Sequence, residues 1–271
     1  MGIYVAALGI VRSFRQLGFL SKHFLIKLSE IATEVAKNPA IEEKEPSNLE
    51  SKKGYPILHG SRSDWYAPYT LRELIKLKKL YPDAKIVVGN TEVGIEQRFL
   101  KNEYSVLINP TKVPHINEVR KTKHGIKVGG GSTLTQLHDQ LKDLIKKRKL
   151  THKNRIYQAF SDQLELFSGP SIRNAASLAG NIMTASPISD LNTLLIAVNA
   201  EFTLNSLDGG IRVIPAREFF LGYRQTAARP DEILQYVYIR NCEVHCNINL
   251  LIVRKINMSS LTNKVEDEKM T

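Results

Sequence analysis

The chain has 271 residues, 42% of them hydrophobic and 24% charged, which is enough for one large soluble domain or two small ones. No apolar run reaches the length that spans a bilayer, so no membrane attachment is expected. The two cysteines, Cys242 and Cys246, are too few for a disulfide framework or an iron–sulfur cluster; they read as free thiols in a reducing compartment.

In chain order, residues 1–40 form an extension with no acidic residue before Glu30, and Arg12, Arg15, Lys22 and Lys27 punctuate its apolar positions. That composition resembles a mitochondrial presequence; an unrelated leader is the favoured reading, with a cytoplasmic location. Residues 41–54 read as a linker. Short strands are expected at Tyr55–Leu58 and Asp64–Tyr66. Thr70 with Glu73 forms a capping box opening a helix whose Leu71, Leu74, Ile75 and Leu77 face the core. Tyr81-Pro82-Asp83 ends it.

Ile86-Val87-Val88 then reads as a buried strand, and Gly89-Asn90-Thr91 as a tight turn. A loop of this kind can aim successive amides at one point, a nest suited to a pyrophosphate. An ordinary strand-to-loop turn is the alternative, since the loop is neither a Walker loop nor a GxGxxG fingerprint.

Strands follow at Ser105–Asn109 and Ile126–Val128, the latter running into Gly129-Gly130-Gly131. These glycines suit either phosphate approach or close strand-to-helix packing. Ser132 or Thr133 caps a helix carrying Leu134, Leu137, Leu141, Leu144 and Ile145 as one stripe. Ile156, Ala159, Phe160, Leu164 and Phe167 make another. The segment from Ser168 to Asn192, rich in Gly, Ser, Asn and Pro, reads as loop laid against something, with Asp190 capping a helix over Leu191–Val198. Ala200–Asn205 and Ile211–Ile214 form a hairpin across Asp208-Gly209-Gly210, and Ile233–Ile239 a closing strand.

The net charge of +11, from 38 Lys and Arg against 27 Asp and Glu, draws partly on Lys142 to Arg155. No stacking aromatics or docking motif accompany this cluster, so a solvated basic helix end is expected, with anion attraction second and no specific nucleic-acid partner.

Three phrases together carry a resemblance: VVGNTEVGIE (Val87–Glu96), ASLAGNIMTASPISDLN (Ala176–Asn192) and FFLGYRQT followed by DEIL (Phe219–Thr226 and Asp231–Leu234). In this order they resemble the FAD-binding domains of the molybdenum hydroxylase family, of the xanthine dehydrogenase kind. The likeness covers Tyr55 to Ile239. It implies an α+β fold of the p-cresol methylhydroxylase type, built of two α/β subdomains, with the family's C-terminal subdomain missing. The implied organisation is an FAD-binding domain at 55–239 and a divergent tail at 240–271.

The resemblance implies FAD as cofactor, bound non-covalently. Ile86, Val87, Val88, Gly89, Asn90, Thr91, Glu92 and Val93 would take the pyrophosphate through main-chain amides. Ser177, Leu178, Ala179, Gly180 and Asn181 would form the second wall, with Thr184 adding a donor. Phe167 matches an aromatic packed on the nucleotide, Asp190 an acid anchoring its polar chain, and Leu234 an apolar residue beside the ring. Intact relatives pass electrons from flavin to NAD or oxygen, fed by iron–sulfur and molybdenum-cofactor domains that have no counterpart in this sequence. A fragment that does not retain FAD, and a basic protein using Lys142–Arg155 on an anionic partner, are the other two readings.

Overall fold

The computed structural model describes residues 49–50, 54–147 and 155–241. The extension at 1–40, most of the expected linker, the basic residues 148–154 and both cysteines lie outside the described residues.

Two five-stranded sheets form the framework. The first contains β1 (Leu49–Glu50), β2 (Ile57–His59), β3 (Asp64–Tyr66), β4 (Lys85–Ile86) and β5 (Val106–Ile108) in the order β1-β2-β3-β5-β4. Its β1, β2 and β3 pair antiparallel, whereas β3 and β4 both run parallel to β5. Leu49 pairs with Leu58, so strand begins inside the stretch read as linker.

Helix α1 (Leu71–Leu80) crosses from β3 to β4 and buries Leu74, Ile75 and Leu77. It opens with the expected capping box: Thr70 Oγ1 accepts from the Glu73 amide, and the Glu73 carboxylate accepts from the Thr70 amide. Tyr81 closes it. Leu74, Ile108 and Tyr66 belong to this half's core, together with Ile233 from the second sheet.

The second sheet is antiparallel throughout and ordered β6-β7-β12-β8-β9. It comprises β6 (Val119–Lys121), β7 (Gly125–Gly129), β8 (Glu201–Ser206), β9 (Gly210–Pro215) and β12 (Ile233–Arg240). The expected hairpin is β8–β9, and the strand expected to close the domain is central, flanked by β7 and β8. Helices α3 (Leu134–Lys146) and α4 (Arg155–Leu166) bring Leu134, Leu137, Leu141, Phe160 and Leu164 into its core. Thr133, rather than Ser132, caps α3, and Gln136 completes a second capping box. Phe202, Phe219 and Phe220 meet edge to face, with centroids 4.9 to 6.1 Å apart.

Three expectations are corrected. The strand read over Ile86–Val88 is the two-residue edge strand β4; Val87 still donates to Ile108 O but then leaves the ladder. The segment after Phe167 is mostly helical rather than loop: α5 (Pro170–Ala175) and α6 (Leu178–Thr184) precede α7 (Asp190–Ala197), the helix expected over Leu191–Val198. These helices are too short to show a period. Side-chain caps start two of them, and burial of Leu178, Ile182, Leu191 and Leu195 holds them. Finally, Ser189 caps α7, its Oγ accepting from the Asn192 amide; Asp190 is the exposed first helical residue.

The remaining elements, α2 (Val93–Phe99), α8 (Ala216–Phe219), β10 (Phe220–Gly222) and β11 (Gln225–Thr226), are short. The β10–β11 turn holds Arg224 in the left-handed region at φ 53°.

Candidate functional site

A cleft of about 560 Å³ opens between the two halves. Its first wall is the segment from Lys85 to Val93 together with Glu96. Its second is Phe167 and Ser168, then residues of α5, α6 and the turn after α6, ending at Ser189. The chain reaches these positions for local reasons. Edge strand β4 delivers the first wall, and the loop reverses at Asn90, which takes the left-handed conformation at φ 55°. The second wall is set by Ser177, whose Oγ accepts from the Gly180 amide and starts α6.

The walls meet at Gly89. A Cβ there would lie 2.8 Å from Ala175 Cα, and closer still to the carbonyl carbon and oxygen of that residue. Glycine is therefore required by backbone-to-backbone contact; Asn90, not Gly89, adopts positive φ.

Among the described residues, the main-chain amides of Val88 through Val93 donate to no protein acceptor. The second wall differs: Leu178 donates to Ser132 O, Ala179 to Gly130 O, Gly180 to Ser177 Oγ and Asn181 to Ser177 O. These four amides are spent on structure, and side chains of this wall add polar groups of their own. Asn181 Oδ1 accepts from Ser189 Oγ at 2.8 Å, leaving its amide nitrogen to donate elsewhere, and Thr184 Oγ1 donates to Gly180 O. The glycine triplet is resolved the same way. The amides of Gly129, Gly130 and Gly131 donate to Glu118, Gln235 and Ile116 carbonyls, and their Cβ positions are blocked by neighbouring atoms, so these glycines serve packing.

Every expected residue from Ile86 to Val93 lines the cleft, and so do Phe167, Ser177, Gly180, Asn181 and Thr184. Four expected residues do not. Leu178 is fully buried in the second core, Ala179 packs against that core, Leu234 is buried in β12, and Asp190 is exposed.

The sequence reading missed the charge in the cleft. Arg224 lines it, donating from one guanidinium nitrogen to Glu92 at 2.8 Å and from another to Glu96 at 3.3 Å. Glu96, only 8% exposed, also accepts from Tyr104 OH at 2.6 Å and has Lys85 Nζ at 3.6 Å. No local signal could have found this quartet, because Arg224 lies 132 residues from Glu92.

The basic cluster beside α3 is partly neutralised: Lys142 Nζ lies 2.9 Å from Glu165, whose carboxyl that contact holds below its ordinary range. No helix among the described residues is long and apolar enough to cross a membrane. Among them, too, no group of His, Cys, Asp and Glu could hold a metal ion.

The comparisons with known proteins agree in direction. The family model for the FAD binding domain in molybdopterin dehydrogenase matches residues 60–240. Xanthine dehydrogenase/oxidase of Gallus gallus is 46% identical over 180 residues, 66% of this chain and 13% of that protein. Xanthine dehydrogenase 1 of Arabidopsis thaliana is 46% identical over 175 residues, again 13% of its length. This chain thus spans a small part of the relatives it matches.

Among solved structures, a carbon monoxide dehydrogenase from Hydrogenophaga pseudoflava superimposes with a TM-score of 0.59 at 23% identity, covering 69% of this chain and 62% of that one. Quinoline 2-oxidoreductase from Pseudomonas putida 86 gives 0.58 at 22% identity, with 69% and 61% covered. These two likenesses speak to the fold. From the match over residues 60–240 and the identity to the xanthine dehydrogenases, the chain belongs to the family of FAD-binding domains found in molybdopterin dehydrogenases.

Proposed function

We propose that this chain binds FAD non-covalently in the cleft between the Lys85–Val93 segment and the Phe167–Ser189 segment. In this reading it serves as the flavin module of a xanthine dehydrogenase-like assembly. The observation that carries the proposal is the run of six consecutive unpartnered amides from Val88 to Val93 along one wall of the cleft, opposite a wall whose amides from Leu178 to Asn181 are spent on structure.

The residues present fit the group. Backbone donors suit a diphosphate. Ile86, Val87, Val88, Phe167 and Ile172 give apolar lining, and Asn181, Thr184, Ser186 and Ser189 supply polar side chains. When bound, FAD supplies the electron transfer, accepting from reduced centres and passing to NAD or oxygen. This chain's residues bind and orient it. The Gly89–Ala175 contact fixes the spacing of the walls, and the Ser189–Asn181 hydrogen bond holds the Asn181 amide group in one orientation. Leu178 and Ala179 act behind the wall, as packing that seats α6. Leu234 and Asp190 have no side chain in the cleft, so no ligand contact is assigned to them.

Iron–sulfur and molybdenum-cofactor domains, on the same or a separate polypeptide, would deliver the electrons, and a cytoplasmic location goes with that assembly. The test is titration of the purified chain with FAD, followed by quenching of flavin fluorescence. Saturable, reversible quenching is expected. A folded chain that leaves FAD fluorescence unchanged would refute the proposal in favour of a fragment without the cofactor.

A further inference from the structure

The two walls come from different halves of the fold, and among the described residues the hydrogen bonds that join them are those of Arg224. Its main-chain amide donates to Ala185 O at 3.2 Å, on the second wall. Its guanidinium reaches across to Glu92 and Glu96 on the first. The turn bearing it is held in a left-handed conformation that a residue other than glycine rarely adopts.

The two carboxylates are not equivalent. Glu96 keeps Tyr104 OH and Lys85 if Arg224 is removed. Glu92 has no other cationic side chain within ion-pair distance among the described residues, and it lines the cleft beside the unpartnered amides. Bare, its carboxylate would repel a diphosphate arriving at those amides.

We infer that Arg224 is a positioning residue, a clasp that pins the amide-bearing loop to the second wall and cancels the Glu92 charge, so that a diphosphate-containing ligand is accepted. The ligand side of this inference rests on the FAD reading; the clasp itself does not.

Two measurements on the full chain separate them. In the ligand-free protein, Arg224→Gln should raise hydrogen exchange at Ile95 and Glu96, whose amides bond to Glu92 O, and at Leu100, whose amide bonds to Glu96 O, by roughly tenfold. Exchange there unchanged from the parent would overturn the clasp, whatever FAD does. In the second measurement, Arg224→Gln should weaken FAD about tenfold, while riboflavin, which has no phosphate, binds as it does to the parent. Adding Glu92→Gln to Arg224→Gln should return FAD affinity to within about threefold of the parent, because the charge left bare is gone. No recovery in the double variant would mean that the guanidinium contacts the phosphates itself, and the positioning role would be wrong. A parent chain that binds no FAD, with exchange loosened as described, removes the FAD reading and leaves the clasp standing.

Discussion

Gly89→Ala tests the geometry of the cleft with one added methyl group. The new Cβ would lie 2.8 Å from Ala175 Cα and nearer still to its carbonyl, whereas ordinary van der Waals contact begins at 3.4 Å. The walls must therefore part by more than about 0.5 Å even at the least crowded of these atoms. Neither side yields cheaply. The Ala176 amide is bonded to Ile172 O at 2.7 Å, the Leu134 amide to Ala176 O at 2.9 Å, and the Val87 amide to Ile108 O at 2.8 Å.

Overpacking of this kind costs about 1–3 kcal/mol, and a backbone obstacle places it toward the upper end. For a domain of this size that lowers the melting temperature by roughly 4–10 °C. FAD affinity should fall more than about tenfold, because the loop amides move away from the second wall. Thermal melting by circular dichroism and FAD fluorescence titration read the two effects. Ala175→Gly should not rescue the variant, since the obstruction is main chain and not the alanine methyl. A Gly89→Ala protein that melts and binds FAD like the parent, or is restored by Ala175→Gly, would refute this account.

Asn181→Ala removes the acceptor of the Ser189 hydroxyl and should weaken FAD by about 0.5–1.5 kcal/mol in the same titration, less than Gly89→Ala. Lys85→Ala should change FAD affinity least of the three, because Lys85 Nζ sits 3.6 Å from Glu96 and over the Tyr104 ring; a larger loss than for Gly89→Ala would indicate a charge-based site. Phe219→Ala empties the centre of the three-ring cluster and should cost about 3–5 kcal/mol in a denaturant titration.

Glu232 is buried. Burial pushes its carboxyl up, but hydrogen bonds from Arg212 and Arg229 outweigh this and hold it below the ordinary value. Its contribution is therefore present above the unfolded carboxylate value and lost as pH falls through the lower folded one; Glu232→Gln should flatten the acid limb of the stability profile. Burial pushes the Lys78 ammonium down from 10.5 to about 8. Between those values the unfolded chain binds more protons, so stability should rise with pH across that window, and Lys78→Met should remove the slope.

What the sequence determined by itself is local. Thr70 with Glu73 announces α1 because a cap and its reciprocal bond lie within one turn. The stripe from Leu134 to Ile145 announces α3 because helical period places those residues on one face, and Asp208-Gly209-Gly210 announces the β8–β9 turn. The three family phrases carried the flavin fold, and most of the residues they marked meet in one cleft.

The tertiary structure decided the rest, and each case turns on contacts distant in sequence. Two short helices, α5 and α6, replaced an expected loop; in α6 the burial of Leu178 and Ile182 outweighs the poor helix propensity of its Gly- and Asn-containing sequence. Gly89 is explained by Ala175, and the glycine triplet by carbonyls of Ile116 and Leu234. Arg224 gained its place through a left-handed turn and two glutamates more than a hundred residues away. Local patterning encodes periods and caps; which main chain lies against which, and which cation answers which carboxylate, exists only once the two sheets have packed.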